Sequence, residues 1–329
     1  LMSGLDISEK RLPQDGRFNV KVRDQSVDVR ISTMPTQYGE SVVMRLLNQG
    51  SGALSLDKLG MPPDVLVRFR EIIRRSSGMV LVTGPTGSGK TTTLYAALSE
   101  INTIDQKIIT VEDPVEYRLA GVNQVQVNEK IELSFARVLR ASLRQDPDVI
   151  LVGEMRDAET AQIGLRAAMT GHLVFSTLHT RDAAGTLFRL VDMGTPKYMV
   201  ASSVQVVLAQ RLLRLICESC SEPHTPTPQE AEWLEHEGVG PDAWGTLLHG
   251  RGCSRCNGTG YSGRFGVYEM LEMTQALAEA ATHKDAEHFM QAARKFMEGK
   301  TLLHHALQKM KAGQTSVAEV MRISNQIED

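Results

Sequence analysis

Aromatic residues make up only 5% of this 329-residue sequence, cysteines number four, and no charge of either sign predominates. Each shortage excludes something. Proteins that coat single-stranded nucleic acid stack bases on aromatic rings along a basic groove. A formal net charge of −3 and a sequence pI near 6.3 are the opposite of that footprint. Four cysteines are too few for a disulfide scaffold at this length. The uncharged apolar stretch from Tyr198 to Leu208 holds eleven residues and includes Ser202, Ser203 and Gln205. A membrane-spanning helix needs roughly 20. The opening Leu1-Met2-Ser3-Gly4-Leu5-Asp6 has neither a basic n-region nor an apolar h-region, and reads as cut from a longer chain. What remains is ordinary globular composition, with 42% apolar and 23% charged residues, and length for about two domains.

Polar–apolar alternation predicts strands at 18–22, 27–31 and 41–46, separated by turns at 23–26 and at Pro35 through Gly39. A linker follows at Gln49-Gly50-Ser51-Gly52. From residue 60 the pattern changes to helices alternating with short apolar runs. Strands are expected at Met79–Val82, Lys107–Val111, Val149–Val152 and Leu173–Thr177, with helices near 90–101, 133–144 and 157–169. Apolar runs without alternation indicate strands covered on both faces, as in a parallel α/β sheet. Periodicity breaks after Cys217, glycines crowd 253–266, and helical patterning resumes from Leu271.

Gly84-Pro85-Thr86-Gly87-Ser88-Gly89-Lys90-Thr91, followed by Thr92, satisfies the Walker A pattern between a strand and a helix. Its glycines let backbone N–H groups wrap phosphate oxygens at a helix N-terminus, Lys90 reaches the β- and γ-phosphates, and the Thr91 hydroxyl can ligate magnesium. Glu154 is the one acid at the tip of the 149–152 strand, because Gly153 holds the usual Walker B aspartate position. It would hold the magnesium shell or orient the attacking water, the alternative being a salt-bridged surface glutamate. Glu112, Asp113 and Glu116 cluster after the preceding strand. Glu112 is the favoured general base with Glu116 in support, against a solvated acidic turn. His172 and His179 flank the fourth strand and could sense the γ-phosphate or bond the acids, or be structural.

Cys217-x-x-Cys220 and Cys253-x-x-Cys256 are paired knuckles whose four thiolates suit a tetrahedral, structural zinc. Two disulfides are the alternative, disfavoured in a reducing compartment.

Together these motifs resemble the secretion and pilus-assembly motor ATPases, which include the type II secretion ATPase E proteins and the type IV pilus extension ATPases. The resemblance runs from Leu12-Pro13-Gln14-Asp15-Gly16-Arg17 through Walker A. It continues through Ile109 to Glu116, Leu143 to Asp148, Gly153-Glu154, the histidines 172 and 179, Ala209-Gln210-Arg211-Leu212 and the cysteines. It implies a RecA-like P-loop domain (51–210) after the C-terminal part (1–50) of a small, sheet-rich α+β, PAS-like domain. A tetracysteine zinc subdomain (211–266) and a helical C-terminal subdomain (267–329) would follow. It further implies a homo-hexamer at the cytoplasmic face of the inner membrane, working with an inner-membrane platform protein and other assembly components. ATP, Mg2+ and Zn2+ would be bound, and Arg30 and Arg45 would reach the γ-phosphate; without the resemblance both read as strand-surface residues. The tetracysteine set favours the secretion or extension branch over retraction. A nucleic-acid translocase and a non-hydrolysing scaffold are the competing readings. The first is opposed by the composition above and the second by the intact acids.

Overall fold

Alternating side chains along residues 14–48 produce three antiparallel strands: β1 (Gln14–Val22), β2 (Gln25–Thr36) and β3 (Gly39–Asn48), in the order β1-β2-β3. The computed structural model describes residues 2–22, 25–48, 55–282 and 286–328. The turn residues Arg23 and Asp24 and the linker 49–52 therefore lie outside the described residues. The strands belong to a first unit, Leu1–Ala53 with Val115–Leu119, and everything else to a second.

The second unit begins with α1 (Pro63–Ile73), β4 (Gly78–Thr83), α2 (Lys90–Ile101), β5 (Ile108–Glu112), β6 (Asn123–Gln126) and α3 (Phe135–Ser142). It continues through β7 (Val149–Val152), α4 (Ala158–Met169), β8 (Leu173–Leu178), α5 (Ala183–Asp192), α6 (Lys197–Ser203) and β9 (Val204–Ile216). Its sheet has the order β12-β9-β4-β8-β7-β5-β6, where β12 spans Tyr261–Glu272. From β9 to β6 every pairing is parallel, and β12 runs antiparallel along β9. All residues of β4, β5, β7 and β8 are buried, which explains why their largely apolar sequences lack polar–apolar alternation. The core between sheet and helices includes Tyr95, Phe69, Phe175 and Leu81, each fully buried. A buried Leu or Phe of this kind stabilises the fold by about 1.5–3 kcal/mol.

Three strands of this sheet, β6, β9 and β12, were not anticipated. β9 carries Gln210 and Arg211 in mid-strand, and β12 opens in a glycine-rich stretch. The expected boundaries at 210/211 and 266/267 consequently fall inside strands. Between β9 and β12 the chain leaves the sheet for the cysteine segment, which holds a two-stranded ribbon, β10 (Ser221–Pro223) and β11 (Leu248–Gly250), and α7 (Pro228–His236). After β12 come α8 (Gln275–Thr282), α9 (Ala286–Phe296), α10 (Leu302–Lys311) and α11 (Val317–Glu328). They join the same core through Leu302, Met310, Val317 and Ile323. Among the described residues no helix is long and apolar enough to cross a membrane.

Candidate functional site

Parallel strands all point their C-terminal ends the same way, and the loops leaving those ends form the customary ligand crevice of such sheets. Gly84 follows β4 directly, and Gly89 is the N-cap of α2 without any side-chain cap. The first N–H groups of α2 are thereby left for an anion. Gly89 has φ +87°, a conformation that side chains resist, and Gly84 is so closely approached that a Cβ would lie 2.6 Å from Ser88 Oγ. The Ser88 hydroxyl is buried and has no hydrogen-bond partner among the described residues. Lys90 Nζ donates to the carbonyls of Gly84 (2.8 Å) and Pro85 (3.1 Å), spanning the loop that a phosphate would fill. Burial pulls the Lys90 ammonium down to about 8, although Glu154 acts the other way.

Glu154, just beyond β7, is mostly buried and is engaged by Arg156 Nη2. His179 Nε2, just beyond β8, lies 3.6 Å from Glu154 Oε2, and Arg156 Nη1 lies 3.8 Å from Asp113 Oδ2. Burial and the neighbouring Lys90 ammonium hold the His179 imidazole below its usual range, while Glu154 acts the other way. Lys90, Glu154, Arg156, His179 and Asp113 thus sit together at the strand ends. Thr91 opens the helix beside them, and among the described residues nothing bonds its hydroxyl.

Glu112 is placed differently. Its carboxylate is buried, accepting from Tyr95 Oη, Thr110 Oγ1 (2.5 Å) and Gln124 Nε2 (3.3 Å). His172 precedes β8 at the end opposite His179, about 20 Å away along the strand, and its Nδ1 meets the Ala167 carbonyl at 3.1 Å. It is not brought to the phosphate loop of this chain.

In the small unit, cross-strand register places Arg17, Arg30 and Arg45 in one row. Like charges placed opposite one another repel, and nearby acids compensate. Asp28 accepts from Arg17, and Glu116 Oε2 accepts from Arg30 Nη1 at 3.3 Å. Arg17 also donates to the carbonyls of Val115 and Glu116, which ties that segment to the sheet. Arg45 is exposed, with no ion pair among the described residues.

The four cysteines are unbonded, and their sulfurs all lie within 4.8 Å of one another. The separations are 3.9 Å for Cys217–Cys253, 3.9 Å for Cys220–Cys256 and 3.7 Å for Cys253–Cys256. A zinc tetrahedron with bonds near 2.3 Å has edges of about 3.8 Å. The N–H groups of Cys253 and Gly260 donate to Cys256 Sγ, each at 3.2 Å, an arrangement that favours thiolate.

A profile described as type II/IV secretion system protein matches residues 1–322. The chain belongs to that family. It is 48% identical over 329 residues to the type II secretion system protein E of Pectobacterium carotovorum subsp. carotovorum, covering 99% of this chain and 64% of that protein. It is also 48% identical over 326 residues to the type IV pilus assembly ATPase PilB of Myxococcus xanthus, covering 98% of this chain and 57% of that one. The crystal structure of the pilus retraction motor PilT with bound ADP superposes with a TM-score of 0.68 at 31% identity, over 94% of this chain and 77% of that one. The chain spans about two-thirds or less of the two curated relatives.

Three contributors to the site of this secretion-family chain escape sequence reasoning. Arg156 is one of many arginines until the fold sets it on Glu154. Tyr95, in the middle of α2, reads as core and also holds Glu112. Thr83, the last residue of β4, bonds Thr180 Oγ1 at 2.6 Å, and Thr180 bonds Thr186 Oγ1 at 2.7 Å. This hydroxyl chain fastens the start of the phosphate loop to the loop carrying His179. Only the position of Thr180 directly after His179 offered a signal.

Proposed function

We propose that this chain is the motor part of an ATPase that powers assembly of pilin-like subunits, in type II secretion or type IV pilus biogenesis. The observation that supports it most is the junction of the Gly84–Thr92 loop with Glu154 at neighbouring strand ends, in a member of this family. Loop N–H groups and Lys90 bind the phosphates of ATP. Thr91 and Glu154, both hard oxygen donors, would hold Mg2+, which supplies charge neutralisation on the phosphates. Glu154 is the acid best placed to orient water. Glu112 would act as base only after giving up the bonds from Tyr95 and Thr110, and Glu116 is engaged by Arg30. We propose, from the family resemblance, that Arg30 and Arg45 act on the γ-phosphate. His179 adjusts Glu154, and His172 is structural.

The cysteine sulfurs have the spacing and chemistry for zinc, which would be structural. The relatives' names support a place within an envelope assembly machine. We propose a homo-hexamer on the cytoplasmic face of the inner membrane, bound there through a platform protein and other assembly components. The test is phosphate release from Mg-ATP together with nucleotide binding. Lys90→Ala should lose both, whereas Glu154→Gln should keep binding and lose about 100-fold in turnover. Full turnover by Glu154→Gln refutes the assignment, and stimulation by single-stranded DNA would point to a translocase instead.

A further inference from the structure

Strand β9 lies beside β4 with Ala209 level with Thr83, so Gln210 comes level with the first residue of the phosphate loop. Gln210 is 1% exposed. Its amide nitrogen donates to the carbonyl of Ser88 at 2.7 Å, and its amide oxygen accepts from Thr93 Oγ1 at 2.8 Å. A Cβ on Gly84 would lie 2.5 Å from the Gln210 carbonyl oxygen, and one on Gly89 would lie 3.2 Å from the Gln210 amide nitrogen. One residue therefore touches the loop at its beginning, at its end, and one turn into α2.

We propose that Gln210 is a positioning residue that sets the direction of the loop N–H groups toward phosphate. This deepens, and rests on, the reading of residues 84–92 as a nucleotide site. In a planar trans peptide the C=O and N–H point in opposite directions. Holding the Ser88 carbonyl on Gln210 therefore aims the Gly89 N–H away from Gln210. The Thr93 contact fixes α2 to the same amide, so the loop and the helix it opens into move together. Glutamine is the residue that can do this, because donor and acceptor must sit on one short, flat group. Glutamate would set an oxygen against the Ser88 carbonyl. Leucine would take from the buried Ser88 carbonyl and the Thr93 hydroxyl the partner that joins them, leaving Thr93, among the described residues, only its contact with Tyr268. Arg211 extends the connection, donating to the Gln210 carbonyl at 3.0 Å and to the Arg181 carbonyl beyond β8 at 2.5 Å.

The test measures Mg-ADP affinity by calorimetry, and unfolding of the nucleotide-free protein, for Gln210→Leu, Gln210→Glu, Thr93→Val and Thr93→Ser. Both Gln210 variants should bind Mg-ADP about tenfold more weakly, one hydrogen bond's worth. Thr93→Ser keeps the hydroxyl and should bind like the native chain. Thr93→Val should weaken binding alone and add nothing in the Gln210→Leu background. If the Gln210 variants melt earlier yet bind Mg-ADP normally at temperatures where they are folded, the role is structural and the proposal is overturned. Should Gln210→Leu not fold, Gln210→Glu and the Thr93 pair carry the same comparison. If the native chain does not bind Mg-ADP, or Lys90→Ala binds it as tightly, the nucleotide-site reading itself has failed.

Discussion

Lys90 shows how a single charge is tuned by its surroundings. Two carbonyls of its own loop hold the ammonium, burial pulls it down to about 8, and Glu154 opposes that pull. The ammonium is therefore charged below pH 8 and loses its proton as the pH rises through that value. A bound phosphate favours the charged form, so nucleotide binding above pH 8 must take up a proton. Mg-ADP affinity should be level up to about pH 7.5 and then fall, approaching tenfold per pH unit. Calorimetry in buffers of different ionisation enthalpy should show proton uptake over the same range. A flat affinity from pH 7 to 9.5 would remove Lys90 from phosphate binding. Glu112 gives a contrasting residue-scale expectation. Glu112→Gln should lower thermal stability, because it weakens a buried set with Tyr95 and Thr110.

Among the elements, β12 connects more of the second unit than its edge position suggests. Its Glu269 is buried and accepts from the N–H of Ala183 (2.9 Å) and of Leu302 (3.0 Å), the first residues of α5 and α10. One carboxylate thus caps two helices, a favourable place for negative charge, although burial raises its pKa above the usual range. Glu269→Ala should cost about 3 kcal/mol by orphaning both N–H groups, measured by denaturant unfolding, and Glu269→Gln about half of that. A native-like midpoint for Glu269→Ala would show that the caps contribute nothing.

Strand β9 is tied to α11 in a comparable way. Glu319 accepts from the Arg214 N–H at 3.0 Å and Nη2 at 2.6 Å, and from Arg322. Burial would raise its pKa, but these bonds outweigh burial and bring it to about 2, against an ordinary 4.5. A lowered carboxylate contributes stability that is whole above 4.5 and lost as the pH falls through 2. The melting-temperature gap between the native chain and Glu319→Gln should therefore be widest near pH 7 and close between pH 4.5 and 2.

These elements also show what was legible in the sequence. Fully buried parallel strands such as Val149–Val152 and Leu173–Leu178 declare themselves by short apolar runs without alternation, the second interrupted only by Ser176 and Thr177, and the phosphate loop by its glycine spacing. β9 hid because Gln210 and Arg211 break its apolar run, and their burial is compensated only by partners distant in sequence. β12 hid because its first turns are glycine-rich and its buried Glu269 reads as surface. The site divides likewise. Residues fixed by local spacing, such as Lys90, Thr91 and the cysteines, could be found, whereas Arg156 and Thr83 act through contacts that exist only once β4, β7 and β8 are side by side.

At the scale of the whole molecule, the cysteine segment poses a stability problem. From Cys217 to Gly260 the chain leaves the sheet, and it buries few apolar side chains of its own, chiefly Leu234, Val239 and Leu247. Its ribbon pairs only Ser221–Pro223 with Leu248–Gly250. A segment with so small a core needs a staple, and the cysteine cluster stands where β9 ends and β12 is about to begin. Closing that long excursion with a metal removes loop entropy from the unfolded chain and couples metal affinity to folding. The purified chain should carry one zinc per molecule by elemental analysis. Cys256→Ser, or extraction by a chelator, should lower the melting temperature and open residues 217–260 to protease. The sheet from β4 to β6 should stay protected, because its core does not depend on the cysteines. Nucleotide affinity gives a further readout, since β9 carries Gln210 and leads directly to Cys217. Metal loss should weaken Mg-ADP binding less than Gln210→Leu does, because the pairing of β9 with β4 persists. If the metal-free chain keeps the same protease pattern and melting temperature, the cysteines do not form a structural zinc site.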